Sequence, residues 1–371
     1  MELSPEDSLR LNVLLAQNLQ AVRIDESNMI VYALSEKGDA KVQLNPNCKD
    51  EKYLKMVKEL FSTHVLGSPG GYPIYLRRWT RMGQARADNL EKLLLLGEPE
   101  AVVAVVHAEG ITDEVARRAW WAMPGSENAR RMLNRDEVMN GEMGPVLAEF
   151  LIEFIPFEED PQAMMESVRL VLKKPGLIDE GTRLSIWKKA KRKNALYVGF
   201  LASQPDALPD QLPANPEHQA LTARLQSLVE AGNPYARQLL RVLSGPGQTW
   251  LATVKEVLAK PSNQDVVVVL LDTIRDYFAD IRPYQEPMRE MDALMGIVDE
   301  TLAQPDETLR AMLDTVPEQA ERIRAMLVLS HVGERLVAPI FALTDAVGSV
   351  MRKKIEPVTR PVLDNVDRLR S

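Results

Sequence analysis

Two stretches of this chain combine residue types that could do chemistry. In Tyr75-Leu76-Arg77-Arg78-Trp79-Thr80-Arg81, guanidinium groups are interleaved with aromatic rings. Guanidinium forks bind phosphate or carboxylate through paired hydrogen bonds, and Tyr or Trp rings stack on bases or on guanidinium itself. In an extended segment Arg77 and Trp79 share one face, and Leu76, Arg78 and Thr80 the other. Tyr75, Arg77, Arg78, Trp79 and Arg81 are therefore candidates for a partner or anion site. The plainer alternative is a strand with an apolar-aromatic face whose arginines pair with the protein's own acids. The second stretch holds Lys188, Lys189, Lys191, Arg192 and Lys193, with no acid between residues 181 and 194. It could neutralise several phosphates. It could equally be a solvated helix end, where the macrodipole favours cations.

No set of residues for covalent chemistry can be assembled beside these. Cys48 is the one cysteine, so no intramolecular disulfide forms. It reads as an incidental, partly exposed thiol; a reactive one would need a lowered pKa, for which Lys49 alone gives thin support. His64, His107, His218 and His331 lie far apart and lack ligand spacing for a metal. Gly67–Gly71 has neither the lysine of a P-loop nor the glycine spacing of a dinucleotide fingerprint. No Ser-His-Asp or Cys-His set is evident. Glu158-Glu159 and Asp179-Glu180 read as exposed helix starts. The expectation is a protein without catalytic residues, cofactor or metal, and with Trp120, Trp121 and Trp187 in packing roles.

The elements that must position the candidates change type along the chain. Ser4-Pro5-Glu6-Asp7 predicts an N-cap, a proline in the first turn and a helix to about Asn18. Residues 21–25, 29–34 and 40–44 are short β-type runs separated by hairpin-length loops, which predicts a small antiparallel meander. A second helix follows over 50–64, and Gly67, Pro69, Gly70, Gly71 and Pro73 then form a turn that no helix or central strand tolerates. From about residue 86 the pattern is helical. Gly110-Ile111-Thr112-Asp113-Glu114 leads to Arg117 and Trp121, and Gly176-Leu177-Ile178-Asp179-Glu180 leads to Arg183 and Trp187 in the same spacing. Prolines at 99 and 161 open helices upstream of each copy. This is compatible with a HEAT-like stack or with an irregular helical array.

Four prolines in Gln204–Glu217 mark a linker. Beyond it, helices are expected over 218–231, 234–243, 248–259, 262–280, 288–303, 306–314, 317–331 and 333–354. Ser262 and Asp265 are expected to cap the run Val266–Leu271. Arg335–Lys354 could be an amphipathic helix, and packing inside the protein explains it more simply than docking on a membrane. The domain expectation is an α+β unit over 1–84, a repeat-like region over 85–204, a linker over 205–217 and a helical region over 218–371. The fold class is mainly α with a small N-terminal α+β unit.

Composition bounds the rest. Of 371 residues 45% are apolar and 5% aromatic, so aliphatic side chains must build the core. A net charge of −8 argues against wholesale nucleic-acid binding and leaves only local basic patches for it. No apolar run reaches the ~18 residues of a membrane span, and the acidic start Met1–Asp7 is unlike a secretory leader. A cytoplasmic location without stable membrane insertion is expected.

Asp7–Ala16, Arg23–Ser27, Leu66–Gly71 with Tyr75–Gln84, and Ala119-Trp120-Trp121-Ala122 together resemble the DsrS family. These are soluble proteins encoded with the dissimilatory sulfite reductase system of sulfur-oxidising bacteria. The similarity is strongest over residues 7–125. It implies a cytoplasmic accessory or regulatory protein of sulfur oxidation that acts on a protein partner, and it supplies no catalytic residues. RNA binding through Arg77, Arg78, Arg81 and the Lys188–Lys193 cluster is the alternative from the basic residues alone. A sulfur-handling role for Cys48 is the other.

Overall fold

Ser4 caps helix α1 (Pro5–Leu15) by accepting a hydrogen bond from the Asp7 amide at 3.3 Å, in a computed structural model that describes residues 2–71, 90–283 and 288–371. The chain is mainly α, and among the described residues it has one small antiparallel sheet near its N-terminus. It divides into two compact units, Met1–Phe154 and Ile155–Ser371.

In the first unit the meander forms as β1 (Leu19–Asp25), β2 (Ile30–Ser35) and β3 (Gly38–Gln43). Asp25 holds the first loop by accepting from Asn28 through both its amide and its side chain. Alternation gives the sheet two unlike faces. Val22 and Val31 point into a core with Leu11 and Leu14 of α1 and with Tyr53, Val57 and Phe61 of α2 (Asp50–Leu66). Within this core Tyr53 donates to Asp7 at 2.5 Å, and Asp7 also accepts from the Asn45 amide. Burial and the neighbouring Asp7 carboxylate raise the Tyr53 pKa. Helix α2 ends at Gly67 in the left-handed conformation. The Ser62 hydroxyl then accepts from the Gly71 amide and donates to the Ser68 carbonyl, which fixes the glycine turn.

Among the described residues, the remaining helices of this unit are α3 (Leu90–Leu93), α4 (Pro99–His107), α5 (Asp113–Ala122), α6 (Ser126–Leu133), α7 (Asp136–Asn140) and α8 (Met143–Phe154). The segment after α3 lies along β1, where the Val22 amide donates to the Leu94 carbonyl. Gly97 sits there at φ +67, and a Cβ on it would lie 2.8 Å from the Ile24 side chain. A Gly97→Ala variant is therefore strained in its backbone and overpacked against the core face of β1. We expect a loss of about 2–4 kcal/mol in urea denaturation of the first unit. A loss below about 1 kcal/mol would show that β1 shifts freely.

The second unit contains α9 (Pro161–Leu172), α10 (Glu180–Ala190), α11 (Ala195–Ser203), α12 (His218–Glu230), α13 (Pro234–Leu243) and α14 (Gly245–Ala259). After these come α15 (Gln264–Tyr277), α16 (Met291–Ala303), α17 (Glu307–Thr315), α18 (Ala320–His331), α19 (Glu334–Phe341) and α20 (Gly348–Arg370). Helix α11 is apolar all round and buried from Ala195 to Leu201, as a helix wrapped by neighbours must be. It packs on α9, α10, α14 and α15. Its closest crossing is with α9, where a Cβ on Gly199 would lie 2.6 Å from that of Val168. Contacts between helices so far apart in sequence make this unit an irregular array, since a solenoid repeat touches only its neighbours.

Four sequence expectations need correction. Residues 205–217 do not form a free tether. Asp206 accepts two bonds from Arg241, the Leu212 amide donates to Thr249, and the Asn215 amide donates to the Leu243 carbonyl. The stretch is thus sealed onto α13 and α14, and the division of the chain falls instead between Phe154 and Ile155. The cap of α15 is Asn263, one residue after the expected Ser262; its side chain accepts from the Val266 amide at 3.1 Å. The expected helix 333–354 breaks at 342–347. A new helix, α20, starts at Gly348 (φ +64) and runs to Arg370 through Pro357 and Pro361. The amide lost at Pro357 would have met the carbonyl of Lys353, an exposed residue, so water can satisfy it.

Candidate functional site

The two copies of the repeated motif do different work. In each, the glutamate of the first helical turn pairs with the arginine three residues on, Glu114 with Arg117 and Glu180 with Arg183. Arg117 and Arg118 both donate to Glu114 and hold its pKa down to about 2. The aspartates part ways. Asp179 is the N-cap of α10 and accepts from the Thr182 amide. Asp113 stands one residue inside α5, behind the cap Thr112, and accepts instead from the amides of Glu142 and Met143 at the start of α8.

The tryptophans separate in the same way. Trp187 is 4% exposed and sits against Tyr197 and Phe200, with ring centroids at 4.6 and 5.0 Å. It is a core residue, as expected. Trp120 is half-buried against Phe150. Trp121 is half-buried on the outer face of the sheet, where the Arg23 guanidinium lies 5.4 Å from its ring and 4.7 Å from that of Tyr32. The Trp121 indole also donates to Asp39 at 3.3 Å. This aromatic-cation stack was not anticipated from sequence. Its one legible half is the cross-strand pair Arg23 and Tyr32, which face each other in the register of β1 and β2.

Lys188, Lys189, Lys191, Arg192 and Lys193 are all exposed. Lys188 and Lys189 end α10, Lys191 is its C-cap, and Arg192 and Lys193 turn the chain into α11. The amides of Arg192 and Lys193 both donate to the Lys189 carbonyl, and the Asn194 side chain donates to the Lys260 carbonyl at 2.7 Å. With Trp187 buried one residue before the cluster, the turn is rigid. Among the described residues, none of the five cations has a carboxylate within ion-pair distance. The turn is thus a fixed concentration of unneutralised charge in an acidic protein. The helix dipole accounts for cations in the last turn of α10, but Arg192 and Lys193 lie beyond it.

Tyr75, Arg77, Arg78, Trp79 and Arg81 lie outside the described residues. The built glycine turn at Gly67–Gly71 leads into them. Cys48 is half-buried on the edge of the first unit's core, its thiol 3.7 Å from the Lys49 carbonyl. Each unit has an open cleft. That of the second unit, of about 450 Å³, is lined by Lys174, Glu180, Arg183 and Gln204 among others. Arg183 there donates to Glu180, Gln204 and the Ala207 carbonyl, so it braces the cleft wall. That of the first unit, of about 490 Å³, has Glu36, His64 and Arg118 on its walls. Among the described residues, no group of three His, Cys, Asp or Glu is placed to hold a metal ion, and no helix is long and apolar enough to cross a membrane. No protein-family model, curated protein or solved structure matches this chain.

Proposed function

We propose that the protein is a non-catalytic accessory or regulatory protein that works by contact, and that the rigid Lys188–Lys193 turn receives an acidic surface of a protein partner. The supporting observation is the turn itself: five exposed cations on a backbone held by the Lys189 carbonyl and by Asn194, with no described acid paired to them. Unneutralised charge on a rigid edge steers association and selects partners by sign. The resemblance to the DsrS family supplies the setting, a cytoplasmic role in dissimilatory sulfur oxidation. RNA is the less favoured partner for this turn, because single-stranded nucleic acid is held by exposed rings as well as by cations. The two aromatic residues that flank the turn in sequence, Trp187 and Tyr197, are 4% and 2% exposed.

A variant with all five cations changed to glutamine, used as bait in an extract of a sulfur-oxidising bacterium, tests this reading. We expect it to lose one or more proteins that the wild type retains, with an unchanged circular dichroism spectrum. Retention by the wild type should weaken as salt rises. Identical partner profiles from the two baits would exclude the turn as the contact. Release of the retained material by ribonuclease would favour RNA instead.

A further inference from the structure

The loop between α19 and α20 exposes aliphatic side chains that a folded protein ordinarily covers. Leu343 is 87% exposed, Val347 63% and Val350 56%, within eight residues of one another in sequence. The loop is not loose. The Gln264 side chain donates to the carbonyls of Thr344 and Ala346, and the Ala346 amide donates to the Thr344 hydroxyl. These bonds hold the loop, apolar side chains outward, against the start of α15.

Charge completes the pattern. Helix α20 buries Met351, Ile355, Val358 and Val362. The opposite face presents Val350 at the tip and Lys353 and Lys354 one turn behind it, all exposed. Lys260, at the end of α14, is exposed; it is tied to the cationic turn through Asn194 and stands four residues before Gln264, which holds the loop. Within residues 342–357 the two acids, Asp345 and Glu356, are outnumbered by the three cations Arg352, Lys353 and Lys354. Aliphatic tips in front of a belt of lysines match the layering of a bilayer surface, with an acyl boundary beneath a negatively charged headgroup layer. Nucleic acid offers no partner for Leu343, Val347 and Val350, which cannot stack on bases.

We propose that the α19–α20 loop docks the second unit on an anionic lipid surface, with Leu343, Val347 and Val350 entering the headgroup boundary and Lys353 and Lys354 meeting the lipid charge. This goes beyond the contact role proposed for the turn, and would bring that contact to the membrane face.

Co-sedimentation of the full chain with vesicles tests it. We expect binding to phosphatidylcholine vesicles containing phosphatidylglycerol, and none to phosphatidylcholine alone. Leu343→Asp with Val347→Asp should weaken binding about tenfold or more, and Lys353→Glu with Lys354→Glu should do likewise. Both pairs are on the surface, so the fold and the partner profile of the cationic turn should be unchanged. The proposal is overturned if the wild type does not sediment with the mixed vesicles at low salt. It is also overturned if the aspartate variant binds as well as wild type, which would mean adsorption by charge alone, or if the loop captures an acidic protein and no vesicle. None of these outcomes bears on the glutamine bait experiment, so the two ideas stand or fall separately.

Discussion

Trp250→Ala is expected to destabilise the second unit by about 3–5 kcal/mol. Trp250 is fully buried on α14 and stacks on Tyr277 of α15 with ring centroids 3.9 Å apart. Its indole N–H donates to the Leu201 carbonyl at the end of α11 at 3.3 Å. One side chain thus joins three helices, and Phe278 closes the cluster edge-on at 6.2 Å. Across the Tyr277 ring lies the Arg241 guanidinium, at 4.0 Å, itself locked to Asp206. Truncation leaves a cavity too well braced to collapse and deprives the Leu201 carbonyl of its donor. Urea denaturation followed by far-ultraviolet circular dichroism measures the loss. Trp250→Phe, which keeps a ring against Tyr277 but loses the N–H and part of the indole's volume, should cost less than the alanine variant. A cost below about 1 kcal/mol for the alanine variant would mean that the three helices are held elsewhere.

Acid should weaken the second unit well before its carboxylates are protonated. His331, at the end of α18, is 4% exposed, and burial holds its pKa down to about 4, with the Arg282 charge adding to the effect. In the unfolded chain the imidazole takes up a proton near 6.5. Between these values the unfolded state binds more protons than the folded one, so stability falls as pH falls. The contribution is fully present above about pH 7 and is lost by about pH 4, on the order of 3 kcal/mol. Glu217 and Glu318 do not blur this window. Their arginine partners lower their pKa values, so what they contribute is lost only below the normal carboxylate range. Urea midpoints at pH 7 and pH 4.5 should differ accordingly, and His331→Gln should flatten the difference. An equal slope in the variant would assign acid sensitivity to another group.

Much of the architecture is local, and local features are legible in sequence. Ser4 with Pro5 and the proline-started helices α4 and α9 satisfy their backbone groups within a few residues, and the three β-type runs pair with their sequence neighbours across hairpin loops. The valine run 266–269, equally compatible with a buried strand, is helical because its apolar spacing continues to Ile274 and Tyr277. What the sequence conceals depends on distant partners. The proline-rich stretch looks like a tether until Arg241 and Thr249 take hold of it. Trp121 and Trp187 occupy equivalent motif positions, yet one faces Arg23 and the other Tyr197, and no spacing distinguishes them. The candidate site is legible as charge: Lys188–Lys193 can be read directly. Its rigidity cannot, because the bracing carbonyl comes from Lys260. Exposure of Leu343 and Val347 is likewise hidden, since it is Gln264 that fixes the loop between α19 and α20.

Helix α11 has no side left over. Buried from Ala195 to Leu201, it is enclosed by α9, α10, α14 and α15. Such an arrangement cannot be lengthened by tandem duplication, because a copied module would arrive with nowhere to dock. Growth of this unit, in evolution or by engineering, is confined to insertions at its rim.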